Sequence, residues 1–152
     1  MDKQKLQIDQ LESKIKVYAP LVKIITPPTG WTRAIRLSLG MSLQQLAERL
    51  GTTKQSVQEM EKRESNETIS IRTLRKTAEA LDMKLVYGFV PKDGSLDKLI
   101  ERKARELAIK IVARTSNTMK LEGQENSEER LKKAVAERAA VIKSEMPKIL
   151  WD

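Results

Sequence analysis

The 152 residues include no cysteine and no histidine. Without cysteine there is neither a disulfide framework nor a thiol nucleophile. Without histidine, no zinc site of the usual kind, no serine triad and no imidazole acid or base can be assembled. A glycine-rich phosphate loop is missing as well, and the lysines and carboxylates stand at no spacing that suggests catalysis. The expectation is a protein that is not an enzyme and has no cofactor and no metal. Aromatic residues are scarce, with two Trp, two Tyr and one Phe, so any core is aliphatic, which favours helices. No stretch approaches the roughly 18 apolar residues that a membrane span needs. The opening "MDKQKLQIDQLESK" has no apolar signal region. A cytoplasmic protein without a membrane partner is expected.

Charge is what the chain has in quantity. One residue in three is charged, the formal net charge is +8 and the sequence pI is near 9.7, values that suit a polyanion or an acidic partner. The excess is spread along the chain, at +2 over residues 1–30, +2 over 31–83 and +4 over 84–152. That spread is equally compatible with a generally solvated basic surface. The length suits one compact domain with appendages.

Apolar spacing divides the chain further. Ile8, Leu11, Ile15 and Tyr18 mark a short amphipathic helix that Pro20 should stop, followed by "LVKII" as a short extended piece and "TPPTG" as a rigid connector. Residues 31–83 hold four short helical runs. The first, Trp31 to Leu39, ends at Gly40. The second opens at Ser42 with Gln45 three places on, the spacing of a capping box, buries Leu43, Leu46, Ala47 and Leu50, and closes at Gly51. The third is capped by Thr52 or Thr53 and turns Val57 and Met60 inward. The fourth follows Ser70 and should bury Ile71, Leu74, Ala78 and Leu81. In "LVYGFV", residues 85–90, β-branched and aromatic residues before Pro91 predict a strand, whose mate is either "VKIIT" or the same strand of a second copy. The longest helix carries a stripe of Leu96, Leu99, Ile100, Ala104, Leu107, Ala108, Ile111 and Val112. A last helix runs from Ser127 to Pro147.

The third run begins "GTTKQS", six residues with almost nothing apolar to bury. A helix with such a first turn is either simply hydrated or aimed at a polar ligand. A short helix, a tight turn at Gly51 and a helix with an exposed polar front is the layout of a helix-turn-helix, and also of an ordinary wet helical hairpin. In the first case Gln55 can bond an adenine in two places. Lys54 can reach guanine acceptors or a phosphate, and Thr52, Thr53 and Ser56 suit phosphates or a thymine methyl.

"MSLQQLAERLGTTKQSVQEMEKRE" with "TLRKTAEALDMKLVYGFVP" resembles the phage-repressor (XRE-type) helix-turn-helix family over about 60 residues. The resemblance implies that Lys54, Gln55, Ser56 and Glu59 face bases or neighbouring phosphates and that Arg36 and Arg63 lie near the DNA backbone. Leu43 stands where some relatives carry a base-contacting glutamine. "PPTGWTRAIRLSLGMSLQQLA", "EALDMKLVYGFVPKDGSL" and the terminal "LWD" are similar to the group called mobile mystery protein A, compact XRE-type regulators. That likeness implies a Fic-domain protein as neighbour and possible partner, in a toxin and antitoxin arrangement. The segment "TMKLEG" fits the inhibitory pattern that holds Fic enzymes off: Thr118, Glu122 and Gly123 match it, and the glutamate would pair with the arginine that holds the ATP γ-phosphate. A helix end with Gly123 just beyond it explains the same residues.

The resulting expectation is a mainly α protein, an XRE-type helix-turn-helix bundle with one short β-strand and C-terminal helices. Residues 1–30 are an N-terminal helix and connector, 31–91 the DNA-binding domain with its terminal strand, and 92–152 a helical region for dimer or partner binding. A homodimer on an inverted-repeat, double-stranded DNA operator follows from the same layout.

Overall fold

Residues 3–121 and 127–152 are described by a computed structural model. Among them lie α1 (Lys3–Ile15), α2 (Trp31–Ser38), α3 (Leu43–Leu50), α4 (Lys54–Ser65), α5 (Ile71–Ala80), α6 (Leu96–Leu121) and α7 (Glu128–Glu145). Short 3-10 stretches occupy Lys16–Lys23 and Lys148–Trp151. Contacts group the chain into two units, Lys23–Gly88 and a second that joins the segment up to Val22 with Phe89–Asp152.

In the 23–88 unit the turns are set by side-chain caps and by one recurring helix ending. Ser42 accepts from the Gln45 amide while the Gln45 side chain accepts from the Ser42 amide, a complete capping box. Thr53, not Thr52, caps α4, and Ser70 caps α5. All four helices then close in the same Schellman geometry, in which two amides beyond the end bond back to carbonyls of the last turn. The pairs are Gly40 to Leu37 with Met41 to Arg36, Gly51 to Glu48 with Thr52 to Ala47, Glu67 to Glu64 with Thr68 to Arg63, and Asp82 to Glu79 with Met83 to Ala78. The left-handed residue this ending requires is glycine twice, but Glu67 (φ 63°) and Asp82 (φ 57°) adopt it without that freedom.

The tight turns converge the helices on a small aliphatic core of Leu46, Ala47, Val57, Met60 and Leu81, with Ile35, Leu43 and Leu50 half-buried around it. Leu46 is wholly inaccessible to solvent, and that burial stabilises the unit by roughly 1.5–3 kcal/mol. On α5 the buried residue is Thr77, whose hydroxyl bonds the Thr73 carbonyl. Ile71, expected inside, is exposed; Ile69, just before α5, packs against the core instead.

Two expectations are corrected. Residues 85–90 form no strand: no strand is found among the described residues, and Val86, Tyr87 and Phe89 are exposed. Within the chain the expected mate "VKIIT" supplies no ladder: among the described residues Ile24 to Thr26 make no backbone bond to residues 85–90, and Val22 and Lys23 belong to the 3-10 stretch after α1. That stretch is the second correction. Pro20 lies inside it, because a proline that cannot continue the α-helical bonding can still sit in a tighter 3-10 turn.

In the second unit α6 and α7 pack as an antiparallel pair around Ile100, Ala104, Ala108, Ile142 and Leu150. The alanines at 104 and 108 have no accessible surface and let the helices approach closely. Leu150 is supplied by the final 3-10 turn, so the tail "KILWD" contributes one side chain to the core while Ile149 and Trp151 stay exposed. Helix α1 joins through Ile8 and through Glu12, which accepts from the Leu96 amide at 2.8 Å and so caps α6. Asp93 clamps Arg102 through two bonds of 2.7 and 3.1 Å, and Lys143 on α7 reaches Asp97 on α6 at 3.1 Å.

Candidate nucleic-acid interface

Helix α4 is built as two faces. Val57, Met60, Glu61 and Glu64 share the inner face at helical spacing, and Val57, Met60 and Glu61 are buried. Gln55, Glu59 and Lys62 form the opposite stripe and are exposed. Lys54 and Ser56 flank that stripe in the first turn, also exposed. The polar front of the helix is therefore open to solvent and covered by no other segment of the unit.

The cap organises this front. The Thr53 hydroxyl accepts from the Ser56 amide at 3.1 Å and donates to the Ser56 hydroxyl at 3.0 Å. Its bonding capacity is spent locally, whereas Ser56 retains its own hydroxyl hydrogen for a ligand. Thr52 is exposed in the turn, and its amide is held by Ala47 at 2.9 Å. Beyond these bonds, the first amides of α4 point outward with the positive end of the helix dipole, a setting that favours phosphate.

Arg36 is placed differently from the expectation. The family resemblance put it near the DNA backbone, but its side chain is 8% exposed and bonded on three sides. Nε donates to Glu61 at 2.7 Å, Nη2 donates to the other Glu61 oxygen at 2.9 Å, and Nη1 donates to the Met41 carbonyl at 3.0 Å. The hydrogen bond to Glu61 raises the Arg36 pKa above its ordinary value, against the opposing effect of burial. A forked pair of this kind fixes orientation as well as distance. It ties α2 to α4 and fixes the angle at which α4 presents its front. Arg36 thereby holds α4 against α2.

Glu64 has a comparable role. Its carboxylate accepts from the Trp31 and Thr32 amides and so caps α2, whose N-cap residue, Gly30, offers no side chain. A β-carbon at Gly30 would come within 2.8 Å of the Glu64 carboxyl carbon, so glycine makes room for the cap. Neither glutamate was singled out from sequence. The signal was present: Glu61 and Glu64 fall four and seven residues after Val57, on the side of the helix that should be apolar.

Two grooves border α4. One, of about 310 Å³, is lined by Thr29, Arg33, Gln58, Lys62 and Ser65 beside the Arg36–Glu61 pair. The other, of about 190 Å³, brings Arg63 together with Lys76, Thr52 and Ser56. Arg63 is thus exposed on the α5 side of the front, while Arg33 and Lys62 lie on the α2 side. The exposed front of α4 is flanked by cations on both sides. Of the Fic-type residues, Thr118 is exposed near the end of α6, its hydroxyl donating to the Arg114 carbonyl at 3.0 Å; Glu122 and Gly123 lie outside the described residues. Among the described residues no cluster of acids could hold a metal ion, and no helix is long and apolar enough to cross a membrane.

No curated protein and no solved structure matches the chain. Residues 33–87, which hold the Arg36–Glu61 tie, the α3–turn–α4 hairpin and its cap, match the helix-turn-helix family model of the XRE type, the module of DNA-binding transcription regulators.

Proposed function

We propose that the protein is a cytoplasmic, sequence-specific DNA-binding regulator that acts as a homodimer on an inverted-repeat operator. The observation that carries this reading is the open first turn of α4, with Lys54, Gln55 and Ser56 exposed beside Glu59. In it, Gln55 bonds an adenine edge, Lys54 a guanine or a phosphate, and Glu59 accepts from a cytosine amine. Thr52 and Arg63 sit toward the flanking phosphates. Two copies related by a two-fold axis place two such helices about one turn of DNA apart, near 34 Å. A gel-shift titration on the promoter of the protein's own gene tests this. Replacing Lys54 and Gln55 by alanine, or scrambling the repeat, should weaken binding at least tenfold; indifference to both changes overturns the reading.

The likeness to the mobile mystery group extends it to an antitoxin-like autorepressor of an operon with a Fic-domain enzyme. The alternative reading, direct inhibition of a Fic AMP-transferase through Thr118, Glu122 and Gly123, is favoured by the exposure of Thr118 on late α6. Under it, Glu122→Ala releases AMP transfer by the co-expressed neighbour and leaves DNA affinity unchanged. Inhibition that survives the change removes this alternative.

A further inference from the structure

The segment from Leu85 to Val90 combines three properties that a single chain leaves unresolved. It has no regular secondary structure, with no backbone hydrogen bond found to residues 84–90 among the described residues. Its apolar side chains are bare, Val86 at 62%, Tyr87 at 59% and Phe89 at 85% exposure. And between Lys84 and Pro91 it contains no charge and no proline, the devices that normally protect a free edge from pairing. Val86 and Tyr87 are adjacent, so in an extended chain they point to opposite faces. Each face thus carries bare apolar surface in its middle, while Leu85 and Val90 at the ends are half-buried.

We infer that this segment is the seam of the homodimer, where Leu85–Val90 of two copies pair as an antiparallel ribbon about the two-fold axis. The inference deepens the two-copy regulator reading and rests on it for the two-fold. The segment's own chemistry selects the same occupant. In a symmetric antiparallel pair the axis stands normal to the sheet, so every residue keeps its face on passing to the partner copy. Leu85, Tyr87 and Phe89 of both copies then share one face, and Val86, Gly88 and Val90 of both share the other. One face is aromatic and aliphatic, and aromatic and β-branched side chains are those that gain most from cross-strand pairing. The ladder also gives partners to amides and carbonyls that the isolated chain leaves to water.

The segment's own area supplies the middle of such a contact. With aromatic side chains contributing ~150–250 Å² when fully buried and valine somewhat less, Val86, Tyr87 and Phe89 at their exposures offer on the order of 400 Å² per copy, about half of what a stable interface of standard size takes.

Because the chain has no cysteine, single cysteines placed in turn at positions 85 to 90 report the register directly. In a two-fold antiparallel pair only the residue on the axis faces its own copy within the ~4.4–6.8 Å between α-carbons that a disulfide spans. One position away, the separation is already about 8 Å. The expected result under mild oxidation is one sharp maximum among the six variants, with several-fold less covalent dimer at its neighbours. The unsubstituted chain should sediment as a dimer, and Tyr87→Asp/Phe89→Asp should sediment as a monomer with an unchanged far-ultraviolet helical signal. A flat or absent cross-linking profile, or a monomeric unsubstituted chain, overturns the inference. Lys54→Ala/Gln55→Ala should leave the cross-linking profile intact. A sharp profile in a protein that selects no DNA would sink the regulator reading alone, whereas selective DNA binding with a flat profile would sink the seam alone.

Discussion

Removal of Glu61 should destabilise the 23–88 unit far more than its place on a surface-rich helix suggests. In the folded unit Arg36 makes three charge-assisted or carbonyl bonds, two of them to Glu61 at 2.7 and 2.9 Å, from a side chain only 8% exposed. Glu61→Ala leaves a buried guanidinium with the Met41 carbonyl as its remaining acceptor. Breaking a buried pair from one side in this way costs about 3–5 kcal/mol. The double change Arg36→Met/Glu61→Leu removes both charges and keeps volume. It should fall within roughly 1–2 kcal/mol of the starting protein, the residual being the donor lost to the Met41 carbonyl. Urea unfolding followed by Trp31 fluorescence in a Trp151→Phe background isolates the signal of this unit, and linear extrapolation supplies the free energies. A loss below about 1 kcal/mol for Glu61→Ala would refute the structural role. So would an Arg36→Met/Glu61→Leu protein that is fully folded but has lost the salt dependence of DNA binding, because Arg36 would then be a phosphate contact.

Other consequences can be checked alongside. Glu67 sits in the left-handed region at φ 63° to end α4, so Glu67→Gly should relieve strain of ~1–2 kcal/mol and give back part of it in unfolded-chain entropy. A net gain in the same urea experiment is expected, and a loss would mean that Glu67 makes contacts that outweigh its backbone. In the other unit, Arg102 bonded to Asp93 holds that carboxyl below its ordinary value of 3.8. A depressed carboxyl stabilises the fold above its unfolded pKa and ceases to as pH falls through the lower folded value. The protection factor of the Gly94 amide, which bonds the Pro91 carbonyl, should therefore fall on acidification below about 3.8, once the intrinsic pH dependence of exchange is divided out. Arg102→Gln should abolish that pH step, and an identical profile in the variant would contradict the clamp.

The helix-turn-helix was legible because its signals are local. A serine with glutamine three places on fixed the start of α3, Gly40 and Gly51 fixed two helix ends, and the period of Leu46, Ala47, Val57 and Met60 fixed the inner faces. The endings at Glu67 and Asp82 were not legible, since the same geometry is reached there by residues with no special mark. Residues 85–90 differ in kind. β-branched and aromatic composition states a preference, but a strand exists only with a ladder mate, and within the described chain residues 22–26 do not provide one; composition alone does not choose between that mate and a second copy. Arg36 carries a role that resemblance alone does not show: its guanidinium is tied to Glu61, and the two glutamates on the inner side of α4 are the residues in the sequence that ask for such partners.

The account's central claim is that the open front of α4 reads base edges, and selection of bound duplexes from a randomised pool by the full chain tests it most directly. It predicts an inverted repeat enriched by the unsubstituted protein, with that preference erased by Lys54→Ala/Gln55→Ala while the urea midpoint of the 23–88 unit stays put. A pool that yields no motif, or the same motif with and without those two side chains, would contradict it.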